Sequence, residues 1–71
     1  SMQIRLRLDA YLQAHSIIRY ELAKRTGLQY PIVDHYYKNQ VQRYDRYVLA
    51  KFCTALGCQI QDILELYETD S

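Results

Sequence analysis

Tryptophan is absent from this chain of 71 residues, phenylalanine and proline each occur once, glycine occurs twice, and serine is confined to the two termini and Ser16. So few chain breakers exclude a flexible linker, a low-complexity tail and a loop-rich scaffold. No apolar run approaches the roughly 18 residues that a membrane helix needs, and no signal-peptide pattern opens the chain, so no membrane partner and a cytoplasmic location are expected. The only cysteines, Cys53 and Cys58, lack CxxC spacing, and neither His15 nor His35 has a partner at metal-ligand spacing. Glycine-rich phosphate loops are missing as well. These absences leave no metal site, no cofactor and no catalytic constellation, and an enzyme is not expected.

What remains is short, helical and charged. The length allows one domain, taken as residues 2–69 with Ser1 read as a tag remnant, and its core is marginal unless helices pack efficiently or the chain dimerises. The net charge of +1 hides an asymmetry: residues 1–51 hold nine Lys or Arg against four acids, whereas residues 52–71 hold four acids and no base. An acidic far end and a basic near end orient a molecule towards phosphates. Eight tyrosines supply the missing aromatic bulk. Several belong in the core, and Tyr30, Tyr44 and Tyr47 are candidates for a surface patch that meets a protein partner or a second copy of the chain.

Periodicity predicts five helices, hence an all-α fold. The first runs from Ile4 or Leu8 to Ala14, and the second from Arg19 to Thr26, stopped by Gly27. Pro31 belongs in a first helical turn, which starts the third near Tyr30 and ends it at about Lys38, with Asn39 as a left-handed cap. A polar, basic loop covers Gln40 to Tyr44. The fourth spans Asp45 to Leu56, with Val48, Leu49, Phe52, Cys53 and Leu56 on its buried stripe and Gly57 after it. A fifth is expected from Gln61 to Tyr67, anchored by Ile60, Ile63 and Leu64. Both cysteines fall at apolar positions and read as core thiols.

The run Glu21-Leu22-Ala23-Lys24-Arg25-Thr26-Gly27-Leu28, followed by Val33 and Tyr36-Tyr37-Lys38-Asn39, reads as two short helices hinged at glycine. With the spacing of Gly27 to Val33, it resembles the helix-turn-helix of the lambda Cro/C1-type, Xre-like DNA-binding domains, and the likeness extends over nearly the whole chain. The resemblance implies a compact five-helix lambda-repressor-like fold with helices 2 and 3 as the motif. Three departures stand out. Relatives often pair an Arg in the first helix with a Glu late in the third, where this chain has Leu12 and Tyr37; replacing both together makes an apolar contact pair. Ile18 replaces the usual capping Ser or Thr, and Tyr30-Pro31-Ile32 replaces a polar helix start.

On the third helix Val33, Tyr36 and Tyr37 share one face, and Pro31, Asp34, His35 and Lys38 share the other. In the fold it resembles, the outward face enters the major groove, which makes Gln29, Tyr30, Pro31, Asp34 and His35 the base-reading candidates. The alternative is a solvated face carrying an internal Asp34 to Lys38 pair at i, i+4. Arg19 at the start of the second helix, and Lys38, Asn39, Gln40, Arg43 and Tyr44 after the third, are the phosphate candidates. The resemblance thus implies a sequence-specific regulator of transcription that binds double-stranded DNA as a homodimer, in the bacterial cytoplasm or on a bacterial or phage nucleoid. The competing expectation is a protein-interaction module of the same fold, antitoxin-like or an assembly partner, with little DNA specificity.

Overall fold

The computed structural model describes residues 1–70. In chain order these form strand β1 (Met2–Leu6), helices α1 (Leu8–Ala14), α2 (Arg19–Thr26), α3 (Tyr30–Tyr37) and α4 (Arg46–Leu56), a single 3-10 turn (Ile60–Asp62) and strand β2 (Leu64–Glu68). Among the described residues there are therefore four α-helices and one two-stranded antiparallel sheet.

Local chemistry accounts for the helix boundaries. Gly27 and Gly57 end α2 and α4 with φ of 74° and 64°, left-handed values that cost a side-chain-bearing residue energy. Pro31 occupies the first turn of α3, where its missing N–H is not needed. Asp45 caps α4 by accepting from the amides of Tyr47 at 2.8 Å and Val48 at 3.1 Å. Asn39 takes φ 57° after α3, as its position predicts. Leu8, Leu12, Leu22, Val33, Phe52 and Ile63 are fully buried and draw every layer into one core, with Leu6, Ala23 and Tyr36 close behind. Val48, Leu49, Cys53 and Leu56 pack against that core from α4 as half-buried residues. Both cysteines are free and half-buried, and Cys58 joins the same packing.

The expected fifth helix is not formed, and the fold is not purely α. Ile60, Ile63 and Leu64 do stand at helical spacing, but only the Ile60–Asp62 turn uses it, held by Gln59 N–H donating to Asp62 Oδ2 at 2.8 Å. Ile63 is buried and Ile60 is exposed, so Ile60 is no anchor. Beyond the turn, Leu64-Glu65-Leu66 alternates apolar and polar before Tyr67 and Glu68 break the pattern, and Met2–Leu6 offers a partner. They pair in the register Met2↔Glu68, Ile4↔Leu66 and Leu6↔Leu64. The strand also takes the Ile4 end of the first predicted helix, so α1 begins at Leu8. Arg7 N–H continues the ladder to Ile63 C=O at 2.7 Å, and Ser1 and Thr69 bond at its other end at 2.8 Å and 3.0 Å.

Candidate nucleic-acid interface

The start of α3 is open. Gln29, in extended conformation at φ −63° and ψ 140°, precedes the helix without a side-chain cap, and Tyr30, Pro31 and Ile32 follow it as exposed residues. Val33 and Tyr36 turn the opposite face into the core. His35 is exposed one turn further along the outward face. Gln29, Tyr30, Pro31 and His35 therefore lie along the solvent-facing start and front of a helix whose opposite face is buried in the core.

Asp34 sits in the middle of this helix with both carboxylate oxygens engaged. Arg19 Nη1, from the start of α2, approaches Oδ1 at 2.6 Å, and Lys38 Nζ approaches Oδ2 at 2.9 Å. The hydrogen bond from Lys38, reinforced by the charges of Lys38 and Arg19, holds the Asp34 carboxyl below its ordinary pKa although partial burial pulls the other way. Arg19 is also fixed from below: its Cζ lies 4.3 Å from the centre of the Tyr37 ring, and the Tyr37 hydroxyl accepts from Gln13 Nε2 at 2.9 Å. Sequence reasoning misses this platform. It gives Tyr37 an apolar contact with Leu12, and both do line one groove between α1 and α3, but the ring's polar tip and upper face serve Gln13 and Arg19. The available signal is an aromatic at a position where relatives carry a charge, opposite an arginine in the motif.

The α3–α4 loop contains the remaining phosphate candidates. Gln40 and Arg43 are exposed, and among the described residues the Arg43 guanidinium forms no ion pair. Asn39 is engaged structurally, since its Oδ1 accepts from Leu6 N–H at 3.0 Å and so ties the loop to the edge of β1 that faces away from β2. Tyr44 is half-buried beside Tyr36, ring centres 6.4 Å apart, and burial, with Tyr67 and Tyr36 near it, raises its hydroxyl pKa. Tyr36 in turn accepts from Asp45 N–H at 3.0 Å and meets Phe52 edge-on at 5.3 Å, which anchors the loop's far end. Of the expected tyrosine patch, only Tyr30 and Tyr47 are exposed, and Tyr47 packs under Arg46.

The charge asymmetry is partly consumed inside the molecule. Glu65 pairs with Arg5 at 2.8 Å and lies 3.7 Å from Arg7, while Arg25 pairs with Glu21 along α2. Lys24, Arg43, Arg46 and Lys51 are left without an ion pair among the described residues. No helix of the described residues is long and apolar enough to cross a membrane.

Two helices joined through a left-handed glycine, the second supported from behind and open in front, define a helix-turn-helix unit. Residues 7–69 match the family described as the Cro/C1-type HTH DNA-binding domain, and the chain belongs to that family. Membership makes it a DNA-binding helix-turn-helix domain of the kind used in transcription regulation. Neither the curated proteins nor the solved structures gave a match.

Proposed function

We propose that this chain, as one domain over residues 2–69, is a sequence-specific cytoplasmic regulator that lays α3 in the major groove of double-stranded DNA as a homodimer and acts by occupancy alone, without catalysis. The carrying observation is the open front of α3, with Gln29, Tyr30, Pro31 and His35 exposed over buried Val33 and Tyr36. Gln29 suits bidentate bonding to adenine, His35 a base edge, and Tyr30 and Pro31 a thymine methyl. Arg19, Lys38, Gln40 and Arg43 take phosphates, with the Asn39 amide and Tyr44 hydroxyl beside them. Asp34, already holding two cations, contributes through them. A single α3 reads only a few base pairs, and two copies about one helical turn apart supply useful specificity.

Enrichment of a random duplex library at near-physiological salt tests this reading. An enriched inverted repeat supports it and gives the half-site spacing. Retention without enrichment, or no retention, removes sequence-specific reading and favours the protein-interaction module, for which exposed Ile18, Tyr20 and Tyr47 offer contacts. Arg43→Ala is expected to weaken binding to every sequence and flatten the salt slope by about 1. His35→Ala is expected to change the preference at one base pair.

A further inference from the structure

We propose that Asp34 is a specificity-determining residue that acts through Arg19 and Lys38: by bridging the two cations in the free protein it withholds them from casually met phosphates and releases them only when α3 is fully seated. This rests on the DNA-binding reading above. Arg19 begins α2 and Lys38 caps α3, so the two cations come from different helices to the Asp34 side of the reading helix, where one carboxylate reaches both, at 2.6 Å and 2.9 Å. The bridged group presents one net positive charge where two cations stand.

Nonspecific affinity comes from cations that neutralise phosphates wherever they are met. A glancing encounter offers a phosphate to Arg19 or to Lys38, and that phosphate competes with a carboxylate already in place. A seated helix offers phosphates to both at once, and the two exchanges occur together. Asp34 therefore weakens binding to random duplex more than binding to the preferred one. The platform beneath Arg19 separates this role from simple support: it does not involve Asp34, since the Tyr37 ring under the guanidinium is itself fixed through its hydroxyl by Gln13.

The test is anisotropy titration of labelled duplex at salt concentrations from about 50 to about 200 mM. It compares wild type, Asp34→Asn, charge-conserving Asp34→Glu and the remote charge control Glu68→Gln, on a random-sequence duplex and on the most enriched one. Asp34→Asn should steepen the salt slope on random duplex by about 1, which is roughly a threefold to fourfold extra loss of affinity across that range. Its ratio of preferred to random affinity should fall severalfold, while Asp34→Glu stays near wild type and Glu68→Gln changes little. If wild type binds and Asp34→Asn matches Glu68→Gln, the inference is overturned and the DNA-binding reading stands. If wild type shows no salt-dependent binding, both are overturned. A wild-type readout guards against misfolding of the variant: the Arg19 Nε–H resonance should shift when the preferred duplex is added, and an unmoved resonance overturns the inference.

Discussion

The helix-turn-helix and the sheet solve the same problem, holding chain segments together, by opposite means. In α2 and α3 one apolar face goes inside: Leu22 and Val33 are fully buried, Ala23 and Tyr36 nearly so, and the outer face mixes charged and polar groups with exposed Tyr20, Tyr30 and Ile32. In the sheet the backbone ladder holds the strands, and Met2, Ile4 and Leu66 sit more than half exposed on one face. The opposite face is tied by surface contacts, Arg5 to Glu65 and Arg5 over the Tyr67 ring at 4.1 Å. A surface that is to meet a charged polymer, as proposed above for α3, has to be free of packing duties. Burial behind α3 supplies that freedom, whereas the sheet relies on its ladder and packs little of its own apolar area.

The largest expected effect lies in the core of the motif. Leu22→Ala should cost about 2–5 kcal/mol in urea unfolding, because a fully buried leucine leaves a cavity, whereas Leu66→Ala should stay within about 0.5 kcal/mol. A comparable loss at Leu66, growing with protein concentration, would break the comparison by showing that the exposed sheet face is covered in solution. Next comes the tie between the two regions. Asn39→Ala should cost about 2 kcal/mol, through a lost hydrogen bond and left-handed strain together, and Asn39→Gly about 1, since glycine relieves the strain and not the bond. Equal losses would mean that the Leu6 contact is the whole effect.

A smaller effect should follow acidification. The folded Asp34 carboxyl titrates below its ordinary value, so its ion pairs stabilise the protein above the unfolded aspartate pKa, and that contribution is lost as pH falls through the lowered folded value. Thermal unfolding of wild type and Asp34→Asn should therefore differ at neutral pH and converge in acid. The smallest expectation concerns the joint between α4 and the sheet. Burial, then the neighbouring Cys53, pushes the Cys58 thiol up to about 11, so its modification at about pH 8 should be slow and accelerate towards that value. Fast modification under those conditions would show that the joint opens.

The elements legible in the sequence are those whose determinants are local. Gly27, Pro31, Asn39 and Gly57 each mark a boundary within one or two residues of where it falls, and the buried Leu22 and Val33 follow from spacing alone. The sheet is not legible because its evidence is split. Neither Met2–Leu6 nor Leu64–Glu68 is distinctive alone, and what makes each a strand is a partner about 60 residues away, as in the Arg5 to Glu65 pair. The interface divides in the same way. Asp34 to Lys38 is an i, i+4 pair open to inspection, whereas Arg19 reaches Asp34 across the turn, where spacing carries no information. Asn39 shows the converse: its backbone role is legible, but its side chain's bond to Leu6 depends on a strand that is not.

The bonding of Ser1 to Thr69 places both ends of the described fold at one end of an antiparallel ladder. Mechanical tension applied between those ends meets the rungs one after another, as a zipper does, instead of loading them all in shear. The first work done by such a pull is spent peeling β1 from β2, and α2 and α3 feel no load until the strands have parted. Torn from its ends, the domain surrenders the sheet before its helix-turn-helix.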